Sequence, residues 1–153
     1  MDAAVFETLK HFIETAPPAL EATRPLARGA EVAVVIDGGE ATRFTMESGA
    51  PRLVPEAPRD PDFTLALPTG AVRHLTSLAT DDVGEYGVAF FSLVLTRDPE
   101  LKVRVRISAP TVRLLGRGYL GVLAVGGMKV SWWLLKNGVK NPKAAIDRLR
   151  DVR

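Results

Sequence analysis

The stretch EVAVVIDGGEATRFTM, residues Glu31–Met46, has the pattern of a β-hairpin. Two runs rich in β-branched and aromatic residues, Val32–Ile36 and Thr42–Met46, flank the turn residues Asp37–Gly39. Aspartate and glycine suit such a reversal, because they adopt left-handed backbone conformations more readily than other residues. The hairpin therefore predicts a fold organised around a sheet, with these two runs as its first strands.

Three segments further along the chain predict additional strands. Arg52–Val54 is a short one between two prolines, and Asp62–Pro68 alternates apolar residues along one face. Leu101–Ile107 reads LKVRVRI, so its apolar residues also alternate with basic ones. A one-residue change of register would bury three cations, and we therefore expect them to point away from the interior. These basic residues are Lys102, Arg104 and Arg106.

Helices are predicted before, between and after these strands in the sequence. Apolar residues at helical spacing indicate a first helix that Asp2 caps and the pair Pro17-Pro18 ends, followed by a Pro-containing connector over Ala19–Gly29. A second helix is expected after Pro68, with Thr69 as its N-cap, and a third is expected to run over Val83–Thr96. The third is apolar around most of its circumference, so it must be nearly enclosed. After the last strand we expect one long helix over Pro110–Val125.

The C-terminal third contains the letters GxGxxG at residues 116–121, inside the run LLGRGYLGVLAVGGMKVSWWLLKNG. A dinucleotide fingerprint needs these glycines at a strand-to-helix turn and an acid about 20 residues later. Neither condition holds, so we interpret the glycines as points where a helix lets another backbone or a ligand approach closely. The apolar run Tyr119–Leu135 has 17 residues and includes Lys129, which is too short and too polar for a membrane span.

Length and composition limit the classes of protein to which this chain can belong. With 153 residues, 46% of them hydrophobic and 25% charged, the chain has the size and composition of one globular domain. It has no cysteine, which excludes disulfides, thiolate metal ligands and a cysteine nucleophile. The N-terminal segment has acids among its apolar residues and no basic start, so no secretory signal is predicted. We therefore expect a cytoplasmic protein.

Charge is divided unevenly along the chain. Residues 1–100 carry 8 Lys and Arg against 16 Asp and Glu, whereas residues 101–153 carry 12 against 2. The basic part suits a transient anionic membrane surface or an acidic protein partner, or it is a solvated face balanced by the acidic part. Nucleic acid is not expected, because no recognition motif is present. The last residues, 139–153, are predicted to form a basic helical extension after Asn141-Pro142.

Catalytic and metal chemistry have no pattern in this sequence. The two histidines, His11 and His74, fall on separate predicted helices, and no base stands beside an obvious nucleophile. Their spacing matches no metal motif. The pair Asp81-Asp82 is interpreted as a helix start. We therefore predict no catalytic residue, no metal and no cofactor.

The order of these elements resembles that of the sterol carrier protein type-2 lipid-binding domain. The resemblance is carried by VAVVIDGGEATRFTMESG (32–49), DFTLALPTGAVRHL (62–75) and GVAFFSLVL (87–95) before LKVRVRI (101–107), and covers about residues 5–123. It departs at Ser108-Ala109, where the family often has Gly-Asp. The resemblance implies an α/β (α+β) fold: a mixed five-stranded sheet, helices covering one face, and a hydrophobic tunnel between them that holds lipids.

The resemblance also implies a function, which is non-catalytic binding or transfer of a fatty acid, acyl ester, sterol-like or isoprenoid lipid. The alternative is an accessory module that binds a lipid- or quinone-handling enzyme and has a filled core without lipid. At the mouth of the tunnel we expect one ring of the adjacent tryptophan pair to line the interior and the other to meet solvent or a partner. The alternative that both rings are ordinary core or interface packing stays open. The residues expected to contact lipid are Phe90, Val94, Val112, Leu115, Tyr119, Val122, Leu123, Trp132 and Trp133.

Overall fold

Five strands form one mixed sheet in the structure, a computed structural model that describes residues 2–138 apart from the side chain of residue 123. They are β1 (Glu31–Ile36), β2 (Ala41–Glu47), β3 (Ala50–Val54), β4 (Phe63–Leu67) and β5 (Arg104–Ile107). Their order in the sheet is β3-β2-β1-β4-β5. β1 and β4 are parallel, and the other neighbouring pairs are antiparallel. The basic helical extension predicted over residues 139–153 lies outside the described residues.

Seven helices accompany the sheet within residues 2–138. They are α1 (Ala3–Thr15), α2 (Pro17–Thr23), α3 (Thr69–Thr76), α4 (Val83–Leu95), α5 (Thr111–Gly116), α6 (Tyr119–Val125) and α7 (Gly127–Lys136). Two predicted caps are confirmed, since the Asp2 carboxylate accepts from the N–H of Ala4 and Asp82 accepts from that of Gly84. The cap predicted at Thr69 is wrong, because Thr69 is the first residue of α3 and Pro68 is its N-cap. The predicted α+β class with a mixed five-stranded sheet is therefore confirmed.

The sheet register separates an apolar face from a polar one. Val34 lies opposite Thr42 and Leu65, and Leu65 lies opposite Val105, so these side chains share one face. This face packs against the helices and forms the main hydrophobic core. The opposite face carries Ala33, Arg43, Thr64, Arg104 and Arg106. The outward orientation predicted for the two arginines of β5 is confirmed, because both are exposed.

Lys102 does not belong to the strand in which it was predicted. β5 begins only at Arg104, because the N–H groups of Leu101 and Lys102 donate to the carbonyl of Asp98 in a turn. The Lys102 Nζ donates to the carbonyls of Val94 at 2.8 Å and Thr96 at 3.2 Å. The ammonium therefore caps the C-terminus of α4, where a cation suits the unpaired carbonyls and the helix dipole.

The connector after the first helix contains a helix that the sequence analysis did not predict. Pro17 and Pro18 end α1 as expected, but they also occupy the first positions of α2. Proline is compatible with a helix there, because the first N–H groups of a helix have no partner within it and the fixed φ angle of proline is helical. α2 packs against α4 and α6, so this segment helps to enclose the interior.

The single long helix predicted over residues 110–125 is instead two helices, α5 and α6. The chain breaks at Gly118, whose φ of 87° lies in the left-handed region. A side chain there would collide with the carbonyl of Pro25. Gly121 is equally confined, because a Cβ would lie 2.5 Å from the Pro25 ring, whereas Gly116 has open space. Close approach of another backbone is therefore confirmed at Gly118, whereas the close neighbour of Gly121 is a proline ring.

Close packing of α4 and α7 fixes which side of α7 faces inward. A Cβ on Gly87 would lie 2.5 Å from Val130, and a Cβ on Gly84 would lie 2.9 Å from the carbonyl of Gly126. The glycines of α4 thus make room for α7. At the beginning of the contact, Lys129 forms an ion pair with Asp82, and its hydrogen bond lowers the pKa of the Asp82 carboxyl.

Candidate functional site

A cavity of about 360 Å³ lies between the β4–β5 half of the sheet and the helices. Its floor is the apolar sheet face, represented by Phe63 and Leu65 on β4 and by Val105 and Ile107 on β5. This volume lies within the range of about 300–1,000 Å³ that is usual for small-molecule sites. The site is therefore large enough for a ligand and is positioned by both layers of the fold.

Helices supply the walls of the cavity. α1 and α2 contribute Phe12, Pro18, Ala19 and Ala22. α3 and α4 contribute Leu75, Val83, Tyr86, Gly87, Phe90 and Phe91. The remaining wall comes from the last three helices and the turn before α7, with Leu114, Tyr119, Val122, Gly126 and Val130. Nearly all of these side chains are apolar, so a ligand in the cavity would contact an almost entirely hydrophobic surface.

The strand β4 shows that this space is not filled by protein atoms. Leu67, at the end of the strand, is only 4% exposed, and Val34 on the adjacent strand is 2% exposed. Phe63 and Leu65 lie on the same face of the sheet, yet both are only half-buried. They line the cavity, so the missing contacts are on the side that faces it. The apolar face of the sheet is therefore packed at one half and open at the other.

The polar atoms at the cavity wall are engaged elsewhere. The Tyr86 hydroxyl donates to the carbonyl of Leu78 at 2.9 Å, and the Tyr119 hydroxyl donates to the Asp62 carboxylate at 2.7 Å. Each tyrosine is therefore a wall residue whose hydroxyl already has a partner in the protein. A ligand inside the cavity would meet hydrocarbon and aromatic rings.

Asp62 organises the end of the cavity beside Tyr119. Its carboxylate is fully buried and accepts a hydrogen bond from Arg117 Nη1 at 2.7 Å, while Arg113 Nε lies 2.9 Å from the same oxygen. The other oxygen accepts from Tyr119 and from the N–H of Glu31 at 3.2 Å. One buried anion thus joins the beginnings of β1 and β4 to α5 and α6, and its charge is compensated.

Tyr119 connects this ionic cluster to the apolar cavity. Its ring packs edge-on against Phe63 at a centroid distance of 5.2 Å. Burial raises the pKa of Tyr119 well above its ordinary value, and the hydrogen bond to the Asp62 carboxylate raises it further. The hydroxyl is therefore neutral at physiological pH and holds the ring in place as a donor.

The residues that were predicted to contact lipid do not share one environment. Phe90, Tyr119 and Val122 line the cavity, whereas Val94 is a core residue that is 1% exposed. Val112 and Leu115 are 80% and 47% exposed, so their predicted placement on the core side is wrong. α5 is short and turns Leu114 inward, because the break at Gly118 interrupts the stripe expected for one long helix. The side chain of Leu123 lies outside those described.

The tryptophan pair is divided between two sides of α7, as expected for adjacent helical residues. Trp132 is 57% exposed. Trp133 turns inward and packs against Phe91 at a ring-centroid distance of 6.5 Å. Neither tryptophan belongs to the cavity lining. The expectation that one ring would line the interior is therefore wrong, because Val130 occupies that side of α7.

Several wall residues were missed by the sequence analysis. Phe63, Leu65, Val105 and Ile107 carried a signal, since their alternation predicted an apolar sheet face. The residues from α2 carried none, because Ala19 to Gly29 was interpreted as a Pro-containing connector. Asp62 was considered only as the start of a strand. Its arginine and tyrosine partners are 51 to 57 positions away, so no local spacing reveals them.

Comparison with protein families, curated proteins and solved structures gives no match for this chain. Within residues 2–138, no helix is both long and apolar enough to cross a membrane. The same part of the chain has no group of three or more His, Asp or Glu side chains placed to hold a metal ion.

Proposed function

We propose that this protein binds a hydrophobic ligand in the cavity between its sheet and helices, without catalysing a reaction on it. The observation that carries the proposal is the half-burial of Phe63 and Leu65 on an inward sheet face, beside about 360 Å³ of unfilled apolar space. The fold agrees with the lipid-carrier architecture that the sequence resemblance implied. A cytoplasmic location belongs to the same proposal.

The wall of the cavity supports a bound ligand on energetic grounds. The side chains that line the cavity, among them Phe63, Leu65 and Phe90, present apolar surface that a hydrophobic ligand would cover, at about 25 cal/mol for each Å² removed from water. Water in this space finds few hydrogen-bond partners, because the wall is almost entirely apolar. A hydrophobic ligand would therefore be favoured over water there.

The chemistry of the wall supports an alkyl or isoprenoid chain as the buried part of the ligand. Both tyrosine hydroxyls at the wall are bound to protein acceptors, so a polar group inside would lose its hydration without a partner. Each buried CH₂ group contributes about 0.8 kcal/mol, so a chain can be held without polar contacts. The head group of the lipid would then stay at the entrance.

The alternative function is an interaction module for a lipid- or quinone-handling enzyme, and it requires a filled core. In that case the interior should be packed and the lining residues should be fully buried. The open half of β4 favours the carrier over this alternative.

A cavity-blocking variant tests the proposal directly. Ala22 lines the cavity from α2, so Ala22→Phe should occupy part of it and weaken displaceable binding of a fluorescent fatty acid. Ala4→Phe is the matched control, because Ala4 is exposed on α1. Native mass spectrometry of the freshly purified protein should detect a copurifying lipid in the wild type and in the control.

Two results would contradict the carrier function. One is a wild-type protein with neither a copurifying lipid nor any binding of the fluorescent fatty acid. The other is unchanged binding in a folded Ala22→Phe protein. If that variant does not fold, Ala19→Leu, from the same helix and the same wall, provides the second blocking substitution.

A further inference from the structure

The helix α7 has apolar side chains on two opposite sides. Val130 lines the cavity, and Leu134 is buried beside it against Phe91. On the other side, Met128, Trp132 and Leu135 are 76%, 57% and 55% exposed. These three occupy positions i, i+4 and i+7, so they form one continuous exposed stripe on a helix. We call Met128, Trp132 and Leu135 the α7 stripe.

An outward apolar stripe is unusual in a helix that already buries its other side. The close packing of Gly87 against Val130 fixes the rotation of α7, so the stripe cannot turn inward without breaking that contact. Three large apolar side chains are therefore held toward the surroundings by the packing of the wall itself. Such patches mark surfaces that contact an apolar partner.

The charges near the α7 stripe favour an anionic partner. Residues 127–138, which form α7 and its C-terminal turn, contain two lysines and no acid. Lys129 is paired with Asp82 and Glu85, whereas Lys136, next to the stripe, is exposed. The sequence continues with five further cations against two acids over residues 139–153. The stripe is therefore followed along the chain by an excess of positive charge.

We propose that the α7 stripe docks the protein on the surface of an anionic lipid bilayer. Tryptophan prefers the interface between headgroups and acyl chains, and Met128 and Leu135 would reach the same depth beside it. Lysines next to such a stripe would meet anionic headgroups, and each cation near the surface strengthens binding about fivefold. A helix of 10 residues is too short to span, so α7 would lie in the plane of the interface.

Docking through this stripe would place a wall of the cavity against the bilayer. Val130 faces the cavity and Trp132 faces outward, so α7 alone separates the two along its length. The bilayer is also the natural source of a lipid ligand. The docking itself requires no ligand in the cavity, and it can therefore hold or fail independently of the proposed carrier function.

Vesicle flotation of the full chain tests the proposal. We compare vesicles of phosphatidylcholine with vesicles that contain 30% phosphatidylserine, using wild type, the triple variant Met128→Ser/Trp132→Ser/Leu135→Ser, and the control Val112→Ser/Leu115→Ser. The control removes two exposed apolar side chains from another helix, α5. Wild type and control should bind anionic vesicles at least tenfold more tightly than neutral ones, and the triple variant should lose at least 100-fold of this binding.

Tryptophan fluorescence gives a readout of the stripe itself. In Trp133→Phe, the exposed Trp132 becomes the sole tryptophan of the chain. Its emission should be quenched by acrylamide in solution, and should shift to the blue and be quenched by brominated lipid when anionic vesicles are added. Raising the salt from 0.1 to 0.5 M should weaken binding, since the lysine contribution is screened.

Three results would overturn the docking proposal. Equal binding of the triple variant and the control would show that the stripe makes no contact. Equal binding to neutral and anionic vesicles would remove the role of the cations. A Trp132 emission that is already blue and protected from acrylamide without vesicles would show that residues 139–153, a second copy or another protein covers the stripe. Binding of a fluorescent fatty acid in the absence of vesicles should be the same in the triple variant, which separates this proposal from the carrier function.

Discussion

Asp62 is the buried anion on which the end of the cavity depends, and its replacement by alanine should strongly destabilise the protein. The substitution removes the acceptor of Arg117 at 2.7 Å and of Tyr119 at 2.7 Å, and the counterion of Arg113 at 2.9 Å. The carboxylate also accepts from the N–H of Glu31 at the beginning of β1. We therefore expect the loss to be felt by β1, β4, α5 and α6 together.

The magnitude follows from the burial of each partner. Removing one member of a buried ion pair costs about 3–5 kcal/mol, and the lower end applies here, because the side chains of Arg113 and Arg117 are 27% and 28% exposed and water can reach them. The Tyr119 hydroxyl, left without an acceptor, adds about 1 kcal/mol. The expected decrease in the free energy of unfolding is therefore about 3–4 kcal/mol. Asp62→Asn should lose somewhat less, since it keeps one acceptor oxygen.

Equilibrium unfolding in urea, followed by circular dichroism, measures this difference. Asp60→Ala is the matched control, because Asp60 also pairs with Arg113 at 2.9 Å but has a side chain that is 77% exposed. Its removal should change the unfolding free energy little, as is usual for surface ion pairs. If Asp62→Ala is no more destabilising than Asp60→Ala, the buried carboxylate does not hold this end of the fold together and our reasoning about the cluster is refuted.

Three further predictions concern the backbone, the helix contact and the titration of Tyr119. Gly118→Ala should lower the free energy of unfolding in urea by more than about 2 kcal/mol, because the φ of Gly118 is 87° and a Cβ would collide with Pro25. The control Gly116→Ala should be neutral or slightly stabilising, because the space around Gly116 is open. Equal effects of the two substitutions would contradict this account. Gly87→Ala should destabilise the contact between α4 and α7, since its Cβ would lie 2.5 Å from Val130. A double-mutant cycle with Val130→Ala should give a non-zero coupling energy. Strictly additive effects would show that residues 87 and 130 do not touch. Above pH 10, tyrosine ionises in the unfolded chain while folded Tyr119, with its raised pKa, stays neutral, so stability should fall as pH rises. Urea midpoints between pH 8 and 11 should fall less in Tyr119→Phe, and parallel curves for the two proteins would contradict the assignment.

Local patterns in the sequence determined much of the architecture. The hairpin residues Asp37 and Gly38 do adopt left-handed conformations, with φ of 51° and 70°, and the strands begin within a few residues of their predicted positions. Two helix caps were also readable, because a cap and its helix are neighbours in the chain. The two faces of β5 followed from an alternation of period two. Each of these features is decided by residues close together in sequence.

Tertiary contacts decided where the helices lie and what they leave open. The break between α5 and α6 depends on Pro25, more than 90 positions before Gly118, and it turned Val112 and Leu115 outward against the expected stripe. Asp62 acquired its role from arginine and tyrosine partners more than 50 positions away. An apolar pattern predicts which face of a strand turns inward, but it does not predict whether other atoms fill the space above that face. That space is set by how α2, α4 and α7 pack around it, so the cavity beside Leu65 belongs to the tertiary structure alone.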